Sequence, residues 1–415
     1  MDVLVVGSGG REHALALALS QDEGVSAVHV APGNPGTAEV GLNHPLDPVD
    51  GRAVVTLAQR LAVHLVVVGP EAPLVAGVAD DVRAAGLACF GPSQAAARLE
   101  GSKAFAKEVM AAAGVPTAAA RVCGHPDEVD AALRAFGPPY VVKDDGLAAG
   151  KGVVVTDDRE LAARHAADCG RVVIEEYLDG PEVSLFAVTD GRAVLAMQPA
   201  QDFKRAGDGD TGPNTGGMGA YSPLPWAPAD LVETVTATVL QPTVDELRRR
   251  GTPFAGLLYA GLALTPAGVR VIEFNARFGD PETQVLLARL RTPLGGLLMA
   301  AATGGLAHHP QLQWADEAVV AVVLGSEGYP GTPVIGAPIT GLEAAGRNGV
   351  RVLHAGTARD QEQLVSAGGR VLAVVGTGDD LAAARENAYA SIGEITLPGS
   401  FYRRDIALAA AESEV

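Results

Sequence analysis

Cysteine is scarce in this chain, and what there is does not pair. Cys89, Cys123 and Cys169 are odd in number and far apart. No CxxC spacing exists, so neither a disulfide framework nor a zinc ribbon is indicated. Three buried free thiols in a reducing compartment are expected. Positive charge is also short: 31 basic groups face 49 acidic ones, a formal net charge of −18. A nucleic-acid partner needs a basic footprint, and so does an anionic membrane surface. Both are excluded as partners, but small anions are not, because a site can be locally basic. No apolar run approaches the ~18 residues needed to span a bilayer. No basic leader precedes the first strand, so a signal peptide is not expected. Internal repeats and low-complexity segments are absent. The expectation is a cytoplasmic protein without membrane attachment.

What is present is an ordinary folding composition, 48% hydrophobic and 19% charged over 415 residues. That length suggests roughly three domains. Apolar runs at Val3–Val6, Val28–Val30, Leu65–Val68 and Leu87–Phe90 alternate with helical patterns. They predict a doubly wound parallel sheet. Gly7-Ser8-Gly9-Gly10 then opens a helix from about Arg11 to Leu19. Glu12 stands where a dinucleotide fingerprint needs glycine, which argues against a nicotinamide cofactor. Free N–H groups at a helix start still suit a phosphate-bearing substrate.

Ser102 predicts an N-cap for a helix from Lys103 to about Ala113. Tyr140–Lys143 and Val153–Thr156 read as a hairpin with a glycine-rich tip at 146–152. Gly152 stands in place of the Ser or Thr of a Walker A loop, so that motif is ruled out. A glycine flap can nevertheless fold over polyphosphate, with Lys151 and Lys143 as contacts. Glu175-Glu176-Tyr177-Leu178 ends a further strand. Such a hinge can read adenine through its backbone, with Glu182 on the ribose. Residues 201–223 read as a long loop of functional character. One helix is expected over about Pro228–Arg250, and strands at Gly256–Leu264 and Val269–Asn275. The last hundred residues carry strands at Val319–Leu324, Val350–Ala355 and Arg370–Val375, then a helix over Asp380–Ile392.

The densest chemistry lies at 272–284. Alternation predicts Ile272 and Phe274 on one face, and Glu273 and Asn275 on the other. A carboxylate and an amide oxygen are hard ligands suited to Mg²⁺. Arg277, Asp280 and Glu282 follow at once.

Together these segments resemble the phosphoribosylamine–glycine ligase family of the ATP-grasp superfamily. The resemblance rests on GSGGREHALA at 7–16, LEGSKAFAK at 99–107, DGLAAGKGV at 145–153, DTGPNTGGMGAYSP at 210–223, IEFNARFGDPETQ at 272–284, HAGT at 354–357 and GGRVL at 368–372. It covers essentially the whole chain. It implies an α/β architecture in three parts. These are a doubly wound N-terminal domain at 1–100, an ATP-grasp domain at 101–316 with a small lid subdomain at about 116–190, and an α+β domain at 317–415. It implies ATP-dependent ligation of glycine to 5-phosphoribosylamine by a monomer, with Mg²⁺ or Mn²⁺ as cofactor.

The resemblance also implies roles. Glu273 and Asn275 hold the metal. Lys103, Lys143, Gly146, Gly150, Lys151 and Gly152 contact phosphates. Glu175, Glu176, Tyr177, Leu178, Glu182 and Phe274 bind the nucleotide. Arg277, Asp280 and Asp210 are catalytic. Asn214, Thr215, Gly216, Gly217 and Met218 enclose glycine and the sugar phosphate. Gly9, Gly10, Glu12 and Glu71 serve phosphoribosylamine. Two positions depart from the family pattern. Asp144 replaces the usual Ala between Lys143 and Asp145, and a carboxylate there opposes triphosphate unless it points away. The segment between Leu161 and Val172 is also several residues short. Two rival readings remain: another ATP-grasp carboxylate–amine ligase of purine metabolism, and a noncatalytic nucleotide-binding regulator.

Overall fold

The computed structural model describes residues 1–147, 152–347 and 349–413. Its first unit is the expected parallel sheet. The strand order is Leu42–Asn43, Ala27–Pro32, Asp2–Gly7, Leu65–Val68, Ala88–Phe90. Each neighbouring pair is parallel. Val3 to Val6 are fully buried because helices cover both faces. Val3 and Val5 pack with Leu15 and Leu19 of helix Gly10–Ser20. Leu4 and Val6 pack the other way, with Val54 and Leu57 of helix Gly51–Arg60. The strand order reverses between Asp2–Gly7 and Leu65–Val68, and ligands in such sheets bind at the carboxyl ends beside that switch. Gly7–Gly10 and Gly69-Pro70-Glu71 follow those two strands.

The lid is a four-stranded antiparallel sheet, in the order Ala120–Cys123, Val172–Glu175, Tyr140–Asp144, Val153–Thr156. Helices Pro126–Phe136 and Arg159–Cys169 back it, over a small core that includes Leu133, Val142 and Ile174. Its other face, with Val141, Lys143 and Val155, lines a cleft. Strand alternation therefore puts Asp144 with Val142 on the helix side, near Cys169. The extra carboxylate does not line the cleft. The shortened segment is the helix Arg159–Cys169 followed by Gly170, whose positive φ of 81° turns the chain into the next strand.

The floor is a second antiparallel sheet, Val194–Ala196, Glu182–Asp190, Ala255–Thr265, Gly268–Asn275. Its last strand does not alternate simply. The register slips between Gly261 and Leu262, so that Ile272 is bulged out. Val271 and Phe274 are the buried pair, while Ile272 is half-buried and lines the cleft. The expected pairing of Ile272 with Phe274 fails because a bulge shifts the side-chain phase by one residue.

A third sheet runs Gln201–Asp202, Gly219–Ser222, Ala318–Gly325, Arg370–Gly378, Arg351–His354. Two of its strands come from the stretch expected to be a loop. The rest of that stretch holds a hairpin of Arg205–Gly207 with Thr211–Asn214. Composition hid these short strands because their partners are remote: Gly219–Ser222 pairs with Val319–Val322. The expected single helix also carries a defect. It runs Leu231–Val235, then a π turn at Thr236–Leu240, then Gln241–Arg249. Pro242 has no N–H to donate to the turn before it, and a π turn absorbs the break.

Candidate active site

A cleft of about 1010 Å³ opens between the lid face, the end of the floor sheet, helix Lys103–Ala113 and the C-terminal residues 407–412. Three chemical regions follow one another along it.

The first is rich in lysine. Ser102 caps helix Lys103–Ala113 by accepting the Phe105 N–H, and its hydroxyl donates to Asp145 Oδ1 at 2.9 Å. Lys103 Nζ donates to Gly146 O at 3.0 Å. Lys143 is 3% exposed. Its ammonium lies 3.0 Å from Glu175 Oε2 and 2.8 Å from the bulged Ile272 carbonyl. Lys107, one helical turn beyond Lys103, lies 3.1 Å from Glu175 Oε1. Burial lowers the Lys107 pKa, and Glu175 offsets this only in part. Glu175 is thus gripped by two ammonium groups. Glu176 accepts the Ala119 N–H at 2.9 Å, and Tyr177 and Leu178 line the cleft beside it. Of the glycine tip, Gly146 and Gly152 line the cleft, while Gly150 and Lys151 lie outside the described residues.

The second region is acidic. Glu273 and Asn275 end the strand Gly268–Asn275, with the buried Phe274 between them. Glu282 is buried and accepts the Tyr259 hydroxyl at 2.7 Å. Lys204 faces them, bonded to Glu182 at 2.5 Å and 3.9 Å from Asp202. Burial pushes the Asp202 carboxyl up to about 7; Lys204 opposes this, and Glu282, Glu182 and Glu273 add to it. Lys204 pulls the Glu182 carboxyl below its usual range. Among the described residues, no three His, Cys, Asp or Glu side chains gather into a metal cage. A pair of hard oxygen donors such as Glu273 and Asn275 suits a divalent ion whose other ligands are phosphate oxygens and water.

The third region is built on arginine. Arg277 has Nε 3.3 Å from Glu71 and Nη2 3.3 Å from Glu100. Burial works against its charge, but Glu100 and Glu71 raise its pKa overall. Among the described residues, its buried Nε has no hydrogen-bond partner. Burial would raise the Glu71 pKa, yet Arg277 and Arg11 lower it. Burial does raise that of Glu100, which accepts the Ala276 N–H at 2.7 Å. Asp280 lies 3.4 Å from Arg370 Nη2 and accepts from Gln284 at 2.8 Å. Burial opposes its charge, and Arg370 and Arg11 together keep its pKa low. The glycine turn abuts this region. A Cβ on Gly9 would sit 3.6 Å from Asp280 Oδ2, and one on Gly10 would sit 2.9 Å from Gln284 Nε2.

Most of the residues expected from the sequence therefore line one cleft: Lys103, Lys143, Glu175 to Leu178, Glu182, Glu273 to Asn275, Arg277, Asp280, Asp210, Asn214 to Gly216 and Glu71. Two expected substrate contacts need correction. Glu12 is 1% exposed and turned inward, accepting the Gly9 N–H at 2.6 Å and Arg11 Nε at 2.5 Å. It packs so tightly that a Cβ on Gly69 would meet Glu12 Oε1 at 2.2 Å. Met218 has no exposed surface and fills the apolar core. Gly217 serves the backbone: its φ is +110°, and a Cβ there would lie 2.5 Å from Pro281 Cδ. The cleft also contains Arg11, Glu100, Lys107, Asp202, Lys204, Glu282, Arg370 and Arg403, to which sequence reasoning gave no role. Lys107 was findable, since i and i+4 share a helix face.

Family models match most of the chain. Residues 1–100 match the N domain of phosphoribosylglycinamide synthetase, 101–283 its ATP-grasp (A) domain, and 319–409 its C domain. The chain belongs to the phosphoribosylglycinamide synthetase family. Among members of that family, the phosphoribosylamine–glycine ligase of Streptomyces coelicolor is 68% identical over 414 residues, covering 99% of this chain and 100% of the relative. The crystal structure of the Thermotoga maritima phosphoribosylamine–glycine ligase superposes with a TM-score of 0.85 at 34% identity, covering 98% of this chain and 100% of that one. The fold alone extends further. The biotin carboxylase domain of a Hydrogenobacter thermophilus 2-oxoglutarate carboxylase, solved with Mg-ADP and bicarbonate, aligns at TM-score 0.74 and 16% identity over 97% of this chain and 91% of that chain.

Proposed function

We propose that this chain ligates glycine to 5-phosphoribosylamine at the expense of ATP, giving glycinamide ribonucleotide, ADP and phosphate in purine biosynthesis. The observation that carries the reading is the continuity of the cleft. One cavity joins a lysine-lined region, an acidic edge and an arginine region at the switch point of the N-terminal sheet. A nucleotide, a small carboxylic acid and a phosphosugar need those environments in contact.

The chemistry proceeds in two transfers. An oxygen of the glycine carboxylate attacks the γ-phosphorus of ATP, and the bond to the β-phosphate oxygen breaks. Glycyl phosphate and ADP result. The amine of phosphoribosylamine then attacks the acyl carbon, phosphate leaves with the carboxylate oxygen, and the amine gives up a proton. Such transfers need positioning and charge neutralisation more than a protein nucleophile. Lys103 and Lys143 would meet phosphate oxygens, and Glu176 to Leu178 would hold the adenine. Glu273 and Asn275 would bind Mg²⁺ or Mn²⁺, which when bound neutralises phosphate charge. Arg277, already charged between Glu71 and Glu100, would stabilise the acyl-phosphate transition state. Gly10, at the start of helix Gly10–Ser20, would present its N–H to the sugar phosphate, while the Gly9 N–H is held by Glu12. A cytoplasmic location fits substrates that are small metabolites.

The test is ADP release with phosphoribosylamine formed in situ. ADP should require glycine, phosphoribosylamine and a divalent ion together. ADP formed at the same rate without glycine would refute the reading.

A further inference from the structure

The hairpin of Arg205–Gly207 and Thr211–Asn214 leads Asn214 and Thr215 into the cleft. Its turn is tight. Gly209 and Asp210 both adopt left-handed backbone, with φ of 65° and 55°. Asp adopts this conformation more readily than most residues, and its surroundings here hold it there.

The surroundings are the last turn before the C-terminal helix. Arg403 has a side chain 1% exposed, 193 residues away in sequence from Asp210. Its Nη1 donates to Asp210 Oδ1 at 2.7 Å and to the Arg205 carbonyl at 3.2 Å. Its Nε and Nη2 grip Asp405 at 2.8 and 2.6 Å. Asp405 in turn accepts the Gly209 N–H at 2.8 Å, and Asp208 accepts the Arg404 N–H at 2.7 Å. Every nitrogen of the guanidinium is committed to the protein, so none is left over for a substrate.

What the hairpin delivers is central to the cleft. Thr215 N donates to the Lys204 carbonyl at 2.7 Å, and the Gly216 carbonyl accepts from Arg370 Nη1 at 2.7 Å. Arg370 pairs with Asp280. The hairpin end therefore bridges the Lys204 side of the cleft and the Arg370–Asp280 side. In the ligase reading, on which this inference rests, the acceptor of the phosphoryl group lies between those two sides.

We infer that Arg403 is a positioning residue that acts through Asp210 and Asp405 to fix this hairpin, and so sets the affinity for glycine. A planar fork holding two carboxylates is not replaceable by a lysine point charge. The test is a double-mutant cycle of Arg403→Lys and Asp210→Asn, with glycine and ATP varied separately. Each single variant should raise the KM for glycine by roughly tenfold, with the KM for ATP changed by less than about twofold. The double variant should be no worse than about the worse single one. Additive losses, or equal rises in both KM values, would overturn the inference. Hydrogen exchange gives an arm that needs no turnover: Asp405→Asn should speed exchange at 205–214 and leave 318–325 unchanged. Unchanged exchange at 205–214 also overturns it. Absence of glycine-dependent ADP release in the unsubstituted chain would instead refute the ligase reading.

Discussion

Arg277 is held where a charge can be used. Two carboxylates, Glu71 from the N-terminal domain and Glu100 at the domain boundary, keep it protonated in a buried setting. Replacing it with lysine should lower kcat by on the order of 10²-fold and leave ATP binding nearly intact, because the lost contact forms mainly in the transition state. Steady-state kinetics beside a direct ATP titration decide this. A near-normal kcat with only a raised KM would assign Arg277 to ground-state binding. At this scale the sequence is legible where chemistry is local. Glu273, Asn275 and Arg277 stand within five residues, and the strand end brings them together whatever the rest of the chain does. Arg370 and Arg403 were not legible. Apart from Asp405 beside Arg403, their partners lie in the 205–217 segment and at Asp280, and only the tertiary fold makes those contacts. Glu12 and Met218 misled for the opposite reason. Each sits inside a motif of site residues but faces the interior.

The helix Lys103–Ala113 was readable at the level of an element, since Ser102 and Gly114 mark its two ends. Its cap does a second job, because the Ser102 hydroxyl also donates to Asp145 next to the glycine-rich tip. Ser102→Ala should cost about 1 kcal/mol of stability by loss of the cap. It should also weaken ATP binding, whereas Ser102→Thr, which keeps the hydroxyl, should restore both. Urea unfolding and ATP titration of the two variants measure this. Equal behaviour of Ala and Thr would remove the hydroxyl from the account. Buried parallel strands were equally plain, since apolar runs leave little choice. The bulge at Ile272 and the strands Gln201–Asp202 and Gly219–Ser222 were not. A bulge is a property of the pairing, and short strands earn their place through remote partners.

For the whole molecule, the domains are tied together by groups that must stay neutral. His13, on the first helix, accepts the His354 N–H through Nδ1 at 2.8 Å, and the two rings lie 5.7 Å apart. Burial, aided by His354, lowers the His13 pKa to about 3. Burial, with Arg359 adding to it, lowers that of His354 to about 4. Both are depressed from 6.5, so the unfolded chain binds more protons than the folded one between those values. Stability is full above about pH 6.5 and falls as pH drops towards 4 and 3, by up to about 1.4 kcal/mol per pH unit for each histidine. His13→Gln, whose amide oxygen can still accept, should flatten part of that slope in urea titrations from pH 7.5 to 5. A slope that does not change would contradict the assignment. None of this interface was foreseen, although HAGT at 354–357 marked the place. The three-part architecture was foreseen. The sheet that runs from Gln201–Asp202 to Arg351–His354 was not, because it draws strands from both sides of residue 317. The central claim is that glycine is activated as an acyl phosphate in this cleft. It is tested most directly by supplying glycine labelled with ¹⁸O in its carboxylate and analysing the inorganic phosphate. The account predicts one glycine-derived ¹⁸O in each phosphate released. Unlabelled phosphate, formed together with glycinamide ribonucleotide, would contradict it.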